Sequence, residues 1–244
     1  MQENRIILAL ESSGASSSVA LYHRGQVICF ERFDAPHGHA ERLVLQAKAC
    51  LKQANISFDQ LTHIAAGRGP GSFTGMRTCL ATATGFALAY GAQAVGVHGL
   101  RALARDAFQL YPGYKDGAIL SLSDSRRQSR YAQLFVQTDQ QVSPLGDILD
   151  IPDEALADQA LRLSQEQGLR VSLIGALPEI CDWPEEAKKQ HDLDARAIAG
   201  EADALIEAHN SAKTPLPDLK PLYLAAPKLG RHPKLGPHPK LGPQ

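Results

Sequence analysis

The sequence is short of the residues on which several kinds of site depend. Its four cysteines form no Cys-x-x-Cys pair and lie in apolar stretches, so we expect buried thiols rather than disulfides or zinc ligands. None of its nine histidines is followed by another histidine four residues later, which is the spacing of a helical metal pair. The sequence therefore predicts neither a metal centre nor a disulfide-rich secreted protein.

Charged residues are missing from one long stretch. Between Arg77 and Arg101 there is no Lys, Arg, Asp or Glu, but threonines, a glutamine, a histidine and four glycines interrupt the apolar residues. The stretch lacks the sustained apolar content of a membrane span, and we interpret it as a helix, a turn and a strand in a protein core. The apolar run over residues 6–10 is too short for a secretory leader and leads into Glu11. We expect a cytoplasmic protein with no membrane span.

The overall composition is that of a folded protein with an unusual end. Of 244 residues, 44% are apolar and the net charge is only −1, which excludes a disordered chain and fits one large domain or two smaller ones. Residues 211–244 hold six basic residues and one acid, so the rest of the chain is acidic. An acidic body argues against a protein that grips nucleic-acid phosphates over its whole surface. Residues 227–244 repeat Pro-Lys-Leu-Gly with a six-residue period, which predicts a disordered basic tail.

Hydrophobic periodicity predicts two units that each begin with strands. Strands are predicted over residues 5–10, 18–22, 27–33, 61–66, 95–97, 118–122, 131–136 and 170–174. Helices are predicted over residues 40–54, 73–90, 100–108, 152–167 and 195–209. Turn residues over 111–117 predict a boundary. We therefore expect an α/β protein of two similar mixed-sheet subdomains over residues 1–110 and 111–214, followed by a tail over residues 215–244.

The sharpest local feature is a glycine-rich run over residues 67–75, between a strand and a helix. Glycines allow close backbone approach, and N–H groups at a helix N-terminus favour an anion. A P-loop needs Gly-Lys-Ser/Thr, but no lysine lies between Lys52 and Lys115. A dinucleotide site needs an acid after the next strand, but no acid lies between Asp59 and Asp106. Two interpretations stay open, a phosphate loop of the actin-like kind and a tight turn against which the second helix packs.

Two further features concern assembly and nucleotide binding. The second predicted helix is rich in small residues and the first has an apolar face, which together suggest an interface. Glu11 follows the first strand, where an actin-like ATPase places a metal-binding acid. With no second candidate acid, we interpret Glu11 as a turn residue and keep it only as a weak nucleotide or metal candidate.

Several segments, in order, resemble the TsaB (YeaZ) family. The run GRGPGSFTGMR over residues 67–77 is similar to the glycine-rich signature of that family. Weaker similarities are ILALESS at 7–13, SVAL at 18–21, HAERL at 39–43, GVHGL at 96–100, ALA at 102–104, DSRR at 124–127 with Tyr131, and PLYL at 221–224. The resemblance covers roughly residues 5–225. Two positions depart from it, since Glu11 replaces the usual Asp and Ala225 the usual Arg.

The resemblance implies a fold and a role. The fold is actin-like (ASKHA, ribonuclease H-like). The role is that of a non-catalytic scaffold and activator in the complex that transfers threonylcarbamoyl to adenosine 37 of tRNAs reading codons that begin with A. The implied partners are the catalytic paralogue TsaD, the ATPase TsaE, and a second copy of the chain when TsaD is absent. Contact with tRNA would come only through the complex, and partners would handle ATP and threonylcarbamoyl-AMP, so that this chain holds no cofactor.

The resemblance also implies particular site residues. No catalytic residue is expected, since Gly99 and Leu103 occupy the positions that match the histidine metal pair of TsaD. Contacts with TsaD are predicted on the first two helices, at His39, Leu43, Ala47, Cys50, Met76, Leu80, Ala83 and Ala87. The signature loop comprises Gly67, Arg68, Gly69, Pro70, Gly71, Ser72, Phe73, Thr74, Gly75 and Arg77.

Two alternative functions stay open at this point. One is an actin-like ATPase or small-molecule kinase that uses the loop over residues 67–75. The other is a metalloprotease-like protein, which the missing histidine pair disfavours.

Overall fold

A computed structural model describes residues 5–34, 39–139, 141–179 and 181–224 of the chain. The first sheet begins as an antiparallel meander and continues with two parallel strands, in the order β3-β2-β1-β4-β5. Its strands are β1 (Ile6–Glu11), β2 (Ser16–His23), β3 (Gln26–Asp34), β4 (His63–Gly67) and β5 (Gln93–Val97). The helices of this part are α1 (His39–Ala54), α2 (Phe73–Tyr90) and α3 (Gly99–Leu110).

The second sheet repeats this plan. Its order is β8-β7-β6-β9-β10, again an antiparallel meander followed by two parallel strands. The strands are β6 (Ala118–Asp124), β7 (Ser129–Thr138), β8 (Gln141–Pro152), β9 (Val171–Gly175) and β10 (Lys188–Gln190), and the helices are α4 (Leu156–Gln167) and α5 (Ala195–Ala212). Strand order and direction match between the two sheets, which confirms the predicted actin-like fold of two similar mixed-sheet subdomains.

The central strands are apolar on both faces because helices cover both sides of each sheet. In β1, Leu8 and Leu10 face the core that α1 and α2 complete, whereas Ile7 and Ala9 face the core of α5. The second sheet packs on α3 with one face and on α4 with the other. Within the described ranges, no helix combines the length and the apolar composition needed to cross a bilayer.

Two helices are exchanged between the sheets. The boundary predicted at residues 110 and 111 falls between the sheets, but α3 precedes it and packs on the second sheet, and α5 follows it and packs on the first. Both helices therefore lie between the sheets and contact one another. Arg105 Nε donates to Glu201 Oε2 at 2.6 Å, and Arg101 Nε lies 3.0 Å from Glu201 Oε1. These ion pairs stabilise the junction of the two subdomains.

The sequence pattern missed two strands for a reason that the sheet makes clear. Strand β8 contains Pro144 and Gly146, which normally mark a break. It lies at the edge of its sheet, where one side of the backbone needs no ladder partner, so a proline costs little there. Its pairing with β7 also shifts register between Ala132 and Leu134. Strand β10 is the opposite edge and has only three residues.

The predicted tail over residues 215–244 begins too early. Residues 215–224 lie against the first sheet and the glycine loop, with Leu216 and Leu219 packed on its two cores. Gly96 N donates to Pro217 O at 2.8 Å, which continues the ladder beyond β5. Frequent prolines predict disorder, but an extended segment that needs few backbone donors tolerates them. The repeats over residues 227–244 lie outside the described residues.

Candidate functional site

The glycine-rich loop is a packing junction between β1 and α2. Ser72 N donates to Ser13 O at 2.8 Å, and Ser12 Oγ donates to Gly75 O at 2.8 Å. A Cβ added to Gly75 would lie 1.9 Å from Ser12 O, and one added to Gly71 would lie 2.7 Å from Ser13 O. The turn after β1 therefore occupies the space that side chains at these positions would need. Of the two interpretations left open by the sequence, this geometry favours the tight turn.

The N-terminus of α2 is capped from within the chain. Ser72 is the N-cap, and its side chain accepts a bond from Gly75 N at 3.3 Å. A glycine with a positive φ lies on each side of α2. Gly69, in the loop before the helix, has a φ of 86°, and Gly91, directly after the helix, has a φ of 69°. The helix ends at Tyr90, as predicted.

Glu11 is buried below the loop and is not a turn residue. It is the last residue of β1 and is 1% exposed. Its Oε1 accepts a bond from Ser13 N at 2.5 Å, whereas Oε2 has no hydrogen-bond partner among the described residues. A Cβ on Gly67 would lie 1.7 Å from that oxygen, so the glycine makes room for the carboxyl group. Burial raises the pKa of Glu11, and the nearby charge of Asp194 adds to this.

The surroundings of Glu11 do not form a set of metal ligands. In the described part of the chain, no three His, Cys, Asp or Glu side chains come together as a possible metal site. The residue beside Glu11 is Cys79, whose pKa is raised by burial and by the charge of Glu11.

The end of the described chain is fastened to the glycine loop by two arginines. Arg68 Nε donates to Lys220 O at 2.7 Å, and Leu222 N donates to Arg68 O at 2.9 Å. Arg77 Nε donates to the Tyr223 hydroxyl at 2.9 Å. The loop signature and the PLYL segment are therefore parts of one structure, although Arg77 and Tyr223 are 146 positions apart in the sequence.

A cavity of about 420 Å³ lies between the loop and the second subdomain. Phe73, Met76 and Tyr223 line one side of it, and Arg126 and Arg127 line the other. Guanidinium groups beside aromatic rings suit an anionic aromatic ligand, so an ATPase or kinase activity would be tested here. Both arginines belong to the DSRR motif at residues 124–127, and no sequence pattern assigns them to a site because only the fold brings them to the loop.

The predicted contact residues on the first two helices point into the protein. Leu43, Ala47 and Cys50 of α1 and Met76, Leu80 and Ala83 of α2 are at most 5% exposed. They form one core with the first sheet, because the apolar face of each helix covers the strands. Ala87 packs on the same core, and the side chain of His39 lies outside the described residues. This corrects the choice of face, since a partner cannot reach the buried residues while the subdomain stays folded.

A different face of the same helices is open. On α2, Ala81, Thr84, Gly85 and Leu88 follow one another at helical spacing and are exposed or partly exposed. Leu88 is 81% exposed, and Leu45 on the neighbouring α1 is 55% exposed. We call these five residues the open helix face. Its periodicity was readable in the sequence, but the sequence did not tell which of two small-residue stripes the sheet would cover.

Comparisons with known proteins agree on one family. Residues 34–208 match the family model described as TsaD, tRNA N6-adenosine threonylcarbamoyltransferase. The chain is 33% identical over 135 residues to the tRNA threonylcarbamoyladenosine biosynthesis protein TsaB of Haemophilus influenzae, covering 55% of this chain and 56% of that protein. It is 32% identical to Escherichia coli TsaB over 127 residues, covering 51% and 52%. The aligned part thus spans about half the length of the curated relatives that it matches.

Two solved structures share the fold over nearly the whole chain. One is a Pseudomonas aeruginosa protein described as similar to the peptidase YeaZ, with a TM-score of 0.72 and 23% identity over 91% of this chain and all of that one. The other is YeaZ from Pseudomonas aeruginosa, with a TM-score of 0.69 and 23% identity over 90% of this chain and all of that one. At these identities the likeness is one of fold.

Proposed function

Because the chain belongs to the family described by the TsaD model and falls among its TsaB (YeaZ) proteins, we propose that it is a non-catalytic subunit for threonylcarbamoyl transfer to tRNA. In this role it binds the catalytic paralogue TsaD and holds it in an active arrangement. TsaE joins the assembly, and tRNA and the activated threonylcarbamoyl group contact the partners rather than this chain.

The open helix face carries the proposal. Small residues at Ala81, Thr84 and Gly85 let the backbone of another helix come close, and the exposed side chains of Leu88 on α2 and Leu45 on α1 add apolar surface. After Arg77, the remaining residues of α2 include no Lys, Arg, Asp or Glu. A second helix can therefore cover this part of α2 without burying an unpaired charge. We expect a copy of the chain to occupy the same face when TsaD is absent.

The glycine loop has a supporting role in this proposal. It fixes the start of α2 against β1 and against the end of the chain, and so sets the direction in which the open helix face points. Arg68 N, Ser72 N and Gly75 N of the loop donate to acceptors within the chain, and these bonds help to hold its shape. Its residues would therefore matter for assembly through the position of α2.

The test is a substitution that the isolated chain can accept. A Cβ on Gly85 meets no atom within 4 Å, so Gly85→Arg adds bulk only where a partner helix would lie. We expect its binding to TsaD, measured by titration calorimetry, to weaken about ten-fold or more, with a matching loss of TsaD-dependent tRNA modification. The thermal midpoint of the isolated variant should be unchanged or higher.

Gly200→Arg is the matched control. Gly200 is also helical, on α5, and a Cβ there also meets no atom within 4 Å, but it lies away from the open helix face. We expect this variant to bind TsaD like the unaltered chain. Equal binding by both variants would refute the proposed face, and tRNA modification by TsaD that proceeds equally without this chain would refute the activator role.

A further inference from the structure

Two free cysteines meet in the core below α1. Cys29 lies on β3 and Cys50 on α1, and their Sγ atoms are 2.8 Å apart. A disulfide bond has a length of about 2.05 Å, so the two sulfurs need to move by less than an ångström to bond. Cys29 and Cys50 are 21 positions apart in the sequence, and the fold brings their sulfur atoms together.

The two thiols differ in access. Cys50 is fully buried, and burial beside Cys29 raises its pKa far above the ordinary value. Cys29 is 5% exposed, and its Sγ lies 3.4 Å from Oε1 of Gln53, a residue at the exposed surface of α1. A rotation of the Gln53 side chain would open Cys29 to a small reagent, whereas Cys50 stays covered. The geometry makes Cys29 the thiol that reacts first and Cys50 the one that follows.

We propose that Cys29 and Cys50 are a reversible oxidation site that forms an intramolecular disulfide with hydrogen peroxide as the oxidant. The Cys29 thiol gives up its proton and its sulfur attacks one peroxide oxygen, so that an S–O bond forms and the O–O bond breaks; the hydroxide that leaves takes up that proton as water, and Cys29 becomes a sulfenic acid. The sulfur of Cys50 then attacks Cys29, the S–S bond forms, the S–O bond breaks, and the proton of Cys50 leaves with the hydroxide as water. Two thiols and one peroxide thus give one disulfide and two waters.

The bond would tie α1 to the strand at the edge of the first sheet. Strand β3 pairs only with β2 in the described sheet, and α1 packs on both strands. An added covalent link limits how far α1 can separate from the sheet. The expected effect is a slower and more limited local opening of α1, which is one of the two helices that carry the open helix face.

The experiment uses the full chain under hydrogen peroxide. After quenching, unfolding and alkylation, we expect two of the four thiols to be protected, with an intact mass lower by about 2 Da before alkylation. Proteolysis should give a peptide that joins Cys29 to Cys50, and dithiothreitol should restore both thiols. The oxidised chain should have a thermal midpoint several degrees above that of the reduced chain.

Variants separate this pair from the remaining thiols. Cys29→Ser should abolish the mass loss and the thermal shift, whereas Cys181→Ser should retain both. Peptide mapping of the oxidised unaltered chain tests the proposal even where a variant folds poorly. The proposal is overturned if Cys181 becomes oxidised while Cys29 and Cys50 both still react with the alkylating reagent, or if the recovered disulfides join two chains.

Discussion

Replacing Glu11 by glutamine is expected to change how the stability of the protein depends on pH. The folded state raises the pKa of Glu11 above the value of 4.5 for a free side chain, because the carboxyl group is buried and the charge of Asp194 is near. The proton is therefore held more tightly in the folded chain than in the unfolded one. This tighter proton binding stabilises the folded state. The stabilisation is fully present below the pKa that Glu11 has in the unfolded chain, and it is lost as pH rises through the pKa that Glu11 has in the folded chain.

The size of the effect follows from one proton. Between the two pKa values, the free energy of unfolding should fall by about 1.4 kcal/mol for each pH unit on account of this group alone. In Glu11→Gln the amide oxygen can still accept the bond from Ser13 N, and nothing titrates. The free energy of unfolding of the variant, minus that of the unaltered chain, should therefore rise with pH at this slope until the carboxyl group ionises in the folded state.

Urea denaturation at a series of pH values measures this difference. Glu166→Gln is the control, because it makes the same chemical change at an exposed position on α4. Parallel pH profiles for Glu11→Gln and the unaltered chain would refute the reasoning. They would mean that the carboxyl group is hydrated or paired in solution and that its burial below the loop has no electrostatic cost.

Two further predictions concern packing and the junction between the subdomains. Gly75→Ala should lower the free energy of unfolding by about 2 kcal/mol or more, because the new Cβ meets Ser12 O, whereas Gly85→Ala in the same helix should raise it by up to about 1 kcal/mol. Chemical denaturation measures both, and equal effects would contradict the packing role of the loop. Glu201→Ala should cost about 3 kcal/mol, since it leaves two arginines of α3 without their buried carboxylate. An unfolding midpoint within error of the unaltered chain would mean that this pairing is not made in solution.

The sequence predicted the elements well wherever one physical signal dominated. Burial on both faces makes the central strand β1 apolar from Ile6 to Leu10, and Gly91 and Gly168 end their helices with the positive φ expected of them. It failed on β8 because a proline has a different cost at a sheet edge than in a sheet interior, and the sequence does not tell which strand is at the edge.

The candidate site was harder to predict because its parts depend on long-range packing. Small residues on α2 form two stripes, one around Ala83 and one around Gly85, with nearly the same composition. Only the sheet decides that Ala83 is buried and Gly85 open. Likewise, no periodicity brings Arg77 to Tyr223 or Cys29 to Cys50, since these contacts arise from the order of strands and the path of the last residues.

The exchange of helices has a consequence for how the chain reaches this fold on the ribosome. All five strands of the first sheet leave the ribosome early, but α5, which covers one face of that sheet, is made about a hundred residues after β5. At ordinary elongation rates this delay is on the order of ten seconds. During that time Ile7, Ala9 and their neighbours have no helix to cover them, so we expect this face of the nascent first subdomain to be open to chaperones until α5 has been made.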